Sequence, residues 1–434
     1  MYSGSVLQAA GSSGSAGMEG YRGSTPINAS FDAGRTPATR LSDPVPNGAF
    51  NLPQGAADGP NGGAATNIGL GIGESFFNDY RNPVIQQWNF TLQRQIGASF
   101  VLEAGYIGSK GNHLIDGEGS MTYNQLPPEF LAQGNALNEV VPNPFFGIIT
   151  NPNSILSRET VVRSQLLRPF PQYTSVNAFR KPQANSIYHA FTLRAEKRYT
   201  NGLSLLAAFT GGKLIDDASQ VVTFLGPAGN KQDFYNRRAE RSVSTQDVSR
   251  RLVVSGVYDL PFGRGRRFGS QMPGIAEAVL GGWQVNGILT LQTGSPVIVT
   301  QNQNNTGLGS SAQRPNNNGT SAEREGGTTN ERLNQWFDTS VFSFAPAFTF
   351  GNVARTLPDV RNPGIRSLDA SLFKNFRFGE RVTTQLRAEA FNAMNTPQFG
   401  APGGTLGNAD FGVINGYANG QSPRQVQLAL KVIF

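Results

Sequence analysis

Along most of the chain, apolar and polar residues alternate in short runs. From Gln86 to Gln95, Trp88, Phe90 and Leu92 share one side, and Gln87, Asn89, Thr91 and Gln93 the other. A period of two marks a strand with one apolar and one wet face. Ile96-Gly97-Ala98-Ser99 makes a tight turn, after which Phe100, Leu102, Ala104 and Tyr106 alternate with Val101, Glu103 and Gly105. The pattern returns at His189–Arg198, where Phe191, Leu193 and Ala195 oppose Thr192, Arg194 and Glu196, and again at Leu203–Phe209 after Thr200-Asn201-Gly202. Further strands are predicted at 251–260, 283–292, 367–378, 381–390 and 425–434, giving about nine in all. In the last, Val426, Leu428, Leu430, Val432 and Phe434 stand against Gln425, Gln427, Ala429 and Lys431.

The wet faces carry Arg, Glu, Asp and Gln, which a packed sandwich core would not accept unpaired. Each run is close to the 9–11 residues that a tilted membrane strand needs. Aromatic residues gather near strand ends (Trp88, Tyr106, Tyr199, Phe209, Tyr258, Trp283, Phe376 and Phe434), as interfacial girdles require. The connections alternate in length: 96–99, about 110–186, 200–202, 213–248, 261–282, 293–365, 377–380 and 392–424. Outer-membrane barrels combine short periplasmic turns with long extracellular loops, and only 261–282 is longer than a tight turn on the short side. The prediction is an all-β fold, an antiparallel transmembrane β-barrel represented by its carboxy-terminal strands. Its long loops are expected to be extracellular and mobile.

Composition agrees. Charged residues make up 15% of the 434 residues, against roughly 25% in soluble domains, while Gly (52) and Phe (29) are abundant. The longest apolar runs fall short of the roughly 18 residues of a membrane helix. There is no cysteine, so disulfides and thiolate metal sites are excluded. The net charge of +7 could suggest nucleic acid, but Arg and Lys are spread over strands and turns rather than gathered into one patch. Residues 1–80 read as a loop-rich extracellular segment between barrel strands, and 81–434 as barrel. Met1–Gly20 has neither the basic nor the apolar region of a signal peptide, so an amino-terminal portion is expected to be missing.

Several stretches resemble the carboxy-terminal barrel of TonB-dependent outer-membrane receptors, in particular the Oar-like subgroup. They are Asn82-Pro83-Val84-Ile85-Gln86-Gln87-Trp88-Asn89, Tyr106-Ile107-Gly108-Ser109-Lys110-Gly111, Asp259-Leu260-Pro261-Phe262-Gly263-Arg264-Gly265, Gly281-Gly282-Trp283-Gln284, Arg387-Ala388-Glu389-Ala390-Phe391-Asn392 and the terminal Phe434. The resemblance covers most of 80–434. It implies a barrel of about 22 strands around a plug, opened by energy from the inner-membrane TonB complex. It also implies that Val426, Leu428, Leu430, Val432 and Phe434 are the signal read by the barrel-assembly machinery. TonB box, plug and first barrel half are not in the sequence, and an open edge in lipid is not tolerated. The chain is therefore expected to be a fragment, with contact to the TonB complex made by the missing amino-terminal region; a split partner is the alternative.

Other candidate chemistry is thin. His113 and His189 lie far apart, and neither a nucleophile elbow nor a P-loop is present. Gly69-Leu70-Gly71-Ile72-Gly73 lacks the spacing and preceding strand of a dinucleotide site. Arg264, Arg266 and Arg267 read as a solvated periplasmic turn, and Asp216-Asp217 as a solvated turn or a weak calcium ligand. Gln301–Asn318 reads as a mobile outer loop. Arg194, Glu196, Arg198, Arg387 and Glu389 are expected to face the lumen, pairing across strands or holding a plug. No catalytic, metal or cofactor site is expected, nor any nucleic-acid partner. The expected function is uptake of a bulky nutrient (oligosaccharide, peptide or metal chelate) across the bacterial outer membrane. The alternatives are a surface adhesin or secretion-related barrel and, lacking a catalytic constellation, an outer-membrane enzyme.

Overall fold

Nine long strands pair each with the next along the chain. A computed structural model describes residues 68–75, 81–115, 123–150, 154–178, 182–217, 231–304, 313–378, 382–418, 420 and 422–434. The strands are β1 (Val84–Ile96), β2 (Phe100–Ile115), β3 (Pro182–Thr200), β4 (Leu203–Asp216), β5 (Arg250–Asp259), β6 (Trp283–Gln292), β7 (Ile365–Phe378), β8 (Val382–Phe391) and β9 (Gln425–Ile433). All eight pairings are antiparallel, and the sheet is an open meander with β1 and β9 at its edges among the described residues. A two-residue strand, Ser242–Val243, pairs with the end of β4.

Register carries the alternation across the whole sheet. Leu92, Ala104, Leu193, Phe209, Leu252 and Leu291 are successive partners in one row. Val285, Leu372, Ala388 and Leu428 form another row on the same face. On the opposite face run Gln93, Glu103 and Arg194, and further along Asn286, Ser371, Glu389 and Gln427. A slip of one residue would move every apolar side chain to the wet face, so the pattern itself fixes the pairing. Short turns fix it further: Asn201 and Gly202 both have positive φ, 52° and 78°, the geometry of a tight hairpin between β3 and β4.

The strands run longer than the alternation marks. β2 continues through His113 to Ile115 and β3 starts at Pro182, so His113, which falls in the connection expected at about 110–186, lies within a strand, with φ 54°. The 261–282 connection contains a short helix, Gly274–Leu280. Within the segment expected to be loop, Gly71–Ser75 is a strand pairing in parallel with Ser175–Ala178. Residues 1–67 and the turn at Gly379-Glu380 lie outside the described residues.

The larger correction concerns the long connections, expected to be mobile, whose described residues include buried, packed clusters. Val297, Val299, Phe337, Val353 and Leu357 form a buried cluster in the β6–β7 connection, joined by Leu406 and Phe411 from the β8–β9 connection. Phe337 meets Phe342 and Phe411 edge-on at 5.9 and 5.3 Å between ring centres. Leu126, Leu131 and Leu137 of the β2–β3 connection pack with Phe348 and Phe350 of the β6–β7 connection. Three of the four long connections thus share apolar cores, and the fourth, between β4 and β5, joins them through ion pairs. The stretch expected to be a mobile loop, Gln301–Asn318, contains buried Gln301, Gln313 and Arg314; its residues 305–312 lie outside the described residues.

Candidate functional site: two opposed faces and a layer of packed loops

Elements are placed here by parity. Because the strands stay in register, every second residue of each strand faces the same way. The apolar face holds Phe90 and Leu92 (each 62% exposed), Phe191, Leu205, Val285 and Leu386. These large side chains cover no core of the sheet, and a continuous apolar face of this extent demands an apolar neighbour. The strand carboxylates Glu103, Glu196, Asp216, Asp259, Asp369 and Glu389 all fall on the opposite face. The apolar face carries cations at its two margins. Arg94, Lys197 and Lys374 lie toward the short turns; Lys110, Lys213, Arg250, Arg366 and Arg424 lie toward the long connections. From Arg366 to Lys374 is eight residues, about 26 Å along a strand. Tilted by roughly 40°, that is about 20 Å, and the long cationic stems extend it toward the 25 Å apolar band of outer-membrane barrels.

Aromatic groups mark the same margins. Trp88, Tyr106 and His189 form one cluster near the long-connection end. The Tyr106 hydroxyl lies 2.7 Å from His189 Nδ1, Trp88 Nε1 donates to that hydroxyl at 3.4 Å, and the Tyr106 and His189 rings stack. Trp88 fits because its neighbour Gly108 has no side chain; a Cβ there would stand 2.2 Å from the indole. At the short-turn end Lys374 Nζ donates to the Gly281 carbonyl and stands 5.2 Å from both the Trp283 and Phe376 ring centres. A ring with an apolar body and a polar edge suits a membrane–water boundary.

The wet face is laced by its own contacts. Arg194 pairs with Glu196 along one strand at 2.8 Å, whereas Gln427 donates to Glu389 across strands and the Arg387 guanidinium covers its cross-strand partner Phe373 at 4.8 Å. The expected cross-strand pairing therefore holds for Glu389, whereas Arg387 donates to Gln385 of its own strand at 2.6 Å, as Arg194 does to Glu196. The basic turn is tied down: Arg266 pairs with Asp259 at 3.0 Å, the Arg264 N–H donates to Glu277, and Arg267 covers Phe268.

At the other end, buried charges bind the loops together. Asp216 pairs with the buried Arg355, and Asp217 with Arg237 at 2.9 Å, so this acidic pair is neither a solvated turn nor free to hold calcium. Arg314 and Glu240, each with a side chain 1% exposed, pair at 3.0 Å, and Arg361 meets Asp247 at 2.6 Å. Burial pushes the Glu240 carboxyl up and the Arg314 guanidinium down from their ordinary ranges, so their mutual attraction works against desolvation. Sequence spacing could not show these pairs, whose members stand 74 and 114 residues apart.

Val426, Leu428, Leu430 and Val432 lie in register on the apolar face of the edge strand β9, and Phe434 follows just beyond its last residue, 98% exposed. His113 and His189 form no joint site, and no group of three metal-ligating side chains occurs among the described residues.

Residues 6–427 match the model of a family described as outer membrane beta barrel domain. Among solved structures, the chain is similar to the outer membrane transporter YddB from Escherichia coli, with a TM-score of 0.39 and 10% identity over 83% of this chain and 33% of that one. The FrpB iron transporter from Neisseria meningitidis gives a TM-score of 0.33 and 10% identity over 84% of this chain and 33% of that one. FpvA of P. aeruginosa bound to heterologous pyoverdines gives 0.31 and 9% over 80% and 27%. The chain spans a third or less of these structures, and likeness this weak carries no argument about activity. No curated protein matches the chain.

Proposed function

Because the chain belongs to the outer membrane beta barrel domain family, whose place is the bacterial outer membrane, we propose that its nine strands form part of the wall of a plugged barrel that takes up a bulky nutrient. The observation that carries this reading is the segregation of the sheet: apolar residues with marginal cations on one face, every strand carboxylate on the other. Lipid suits the first face, and a wide, polar interior suits the second. The edges β1 and β9 pair with further strands of the same wall, since unpaired backbone is not stable in hydrocarbon. Residues 81–434 belong to this wall, and residues 1–80 to a loop-rich extracellular segment between strands. The resemblance of Asn82–Asn89 and the other quoted stretches to TonB-dependent receptors supports energised opening by the TonB complex. The test is accumulation of labelled oligosaccharide, oligopeptide and ferric chelate in cells with and without the protein. Protein-dependent accumulation of one of them, abolished by a protonophore, is expected. Surface binding without accumulation would favour the adhesin reading and contradict uptake.

In this reading the long connections are extracellular. An epitope tag between the exposed Gly326 and Gly327 should be reached by antibody on intact cells. A tag at Asn201, in the β3–β4 turn, should be reached only after permeabilisation; the reverse result would invert the orientation. Val426, Leu428, Leu430, Val432 and Phe434 serve as the assembly signal. Deleting Phe434 should then lower the heat-modifiable fraction in the outer membrane, and unchanged assembly would reject the role.

A further inference from the structure

The cations at the long-connection margin of the apolar face are all exposed: Lys110, Lys213, Arg250, Arg366 and Arg424. No strand carboxylate shares that face. Beside Arg366, where β6 and β7 leave the sheet, a cleft of about 740 Å³ is lined by Arg324, Arg332, Trp336, Arg361 and Phe399 among others. Arg324 is held by Gln335 Oε1 at 3.0 Å, and Arg332 lies over the Trp336 ring at 4.5 Å. The indole is fixed in turn by its N–H bond to the Arg361 carbonyl at 2.7 Å. Arg361 is neutralised by Asp247, but Arg332 and Arg366 form no ion pair among the described residues. Of the two carboxylates lining the cleft, Asp359 already accepts from the Ser321 hydroxyl and the Ala322 N–H, and Glu323 is exposed. The cleft thus keeps an excess of positive charge, with planar guanidinium donors suited to phosphate oxygens. Next to it, Phe399 stacks on Tyr417, which is 71% exposed, placing aromatic surface at the same margin.

We propose that this cleft, with the cationic margin it interrupts, binds the phosphate groups of an anionic lipid headgroup in the leaflet on the long-connection side. Arg366 stands at the edge of the apolar face, so a lipid can leave its chains on Leu368 and Leu372 while its phosphate reaches Arg366 and Arg332. The assignment to the outer leaflet rests on the orientation proposed above; the binding itself does not.

The test uses the full protein extracted from the membrane in non-ionic detergent, followed by native mass spectrometry. The probes are a bisphosphorylated glucosamine lipid, phosphatidylcholine and inorganic phosphate. The phosphorylated lipid should be retained where phosphatidylcholine is not, and millimolar inorganic phosphate should not displace it. The Arg332→Gln/Arg366→Gln pair should weaken retention roughly tenfold or more. Arg332→Lys, which keeps the charge, should weaken it less. Arg251→Gln, on the opposite face at the same height, should leave it unchanged and show that the fold survives this kind of substitution. Equal retention by the double variant, or equal retention of phosphatidylcholine, would overturn the proposal. Displacement by inorganic phosphate would overturn the lipid as its source. Failure of the orientation would appear separately, in the sided epitope tags.

Discussion

Replacing Arg314 by methionine should loosen the packed loops by about 3–5 kcal/mol, the usual cost of leaving one member of a buried ion pair alone. Glu240 is 1% exposed, and its carboxylate has Arg314 as its ion-pair partner at 3.0 Å, besides the Gln232 N–H at 3.1 Å. The change should be read by hydrogen exchange at amides bonded within the same layer: Val297 to the Val360 carbonyl, Val353 to Pro315 and Leu357 to Val297. Their protection should fall roughly a hundred-fold to a few thousand-fold, at 1.4 kcal/mol per factor of ten. Adding Glu240→Leu should restore most of it, because removing both charges together also removes their desolvation cost. Recovery should stop short of complete, since the Gln232 N–H loses its acceptor. A loss below tenfold in the single variant would mean that the pair does not hold the loops.

Leu289→Arg should cost about 2–3 kcal/mol of barrel stability, while Thr290→Arg should be far milder. Leu289 lies on the apolar face, one step from the midpoint of β6 at Gly287, and its cross-strand neighbours are Val254 and Leu368. An arginine there must snorkel past Leu291 to reach the level of Arg366, that residue's partner. Thr290 faces the other way, between Val253 and Ser367, on the face that already carries Arg194 and Arg387. Urea titration of both variants in lipid vesicles measures the difference. Equal destabilisation at the two positions would contradict a one-sided apolar face.

The nine strands were legible because each has one apolar and one wet face, and such a strand writes its period into the sequence. Trp283, Val285, Leu289 and Leu291 against Gln284, Asn286 and Thr290 is the clearest case, and the structure keeps that parity throughout β6. The strand ends were less legible. Beyond Lys110, β2 runs through Gly111, Asn112 and His113, which no longer alternate. The packed loops were not legible at all. Val297, Phe337, Val353 and Leu357 are separated by irregular intervals of Asn-, Gly- and Pro-rich chain, so no period announces them. They cohere through contacts between connections far apart in sequence, such as Phe337 with Phe411 and Arg355 with Asp216. The cationic margins needed the register as well: alternation puts Arg366 and Lys374 on the other face from Arg194 and Arg387, but only the pairing of neighbouring strands shows which cations stand at the same height.

The most direct measurement uses the absence of cysteine from the chain. Single cysteines at each position from 284 to 291, spin-labelled in lipid vesicles, report collisions with oxygen, which concentrates in hydrocarbon, and with a water-soluble nickel chelate. Positions 285, 287, 289 and 291 should collide preferentially with oxygen, and 284, 286, 288 and 290 with the chelate, in strict alternation. Uniform accessibility along β6, or the opposite parity, would contradict a sheet with one face in lipid.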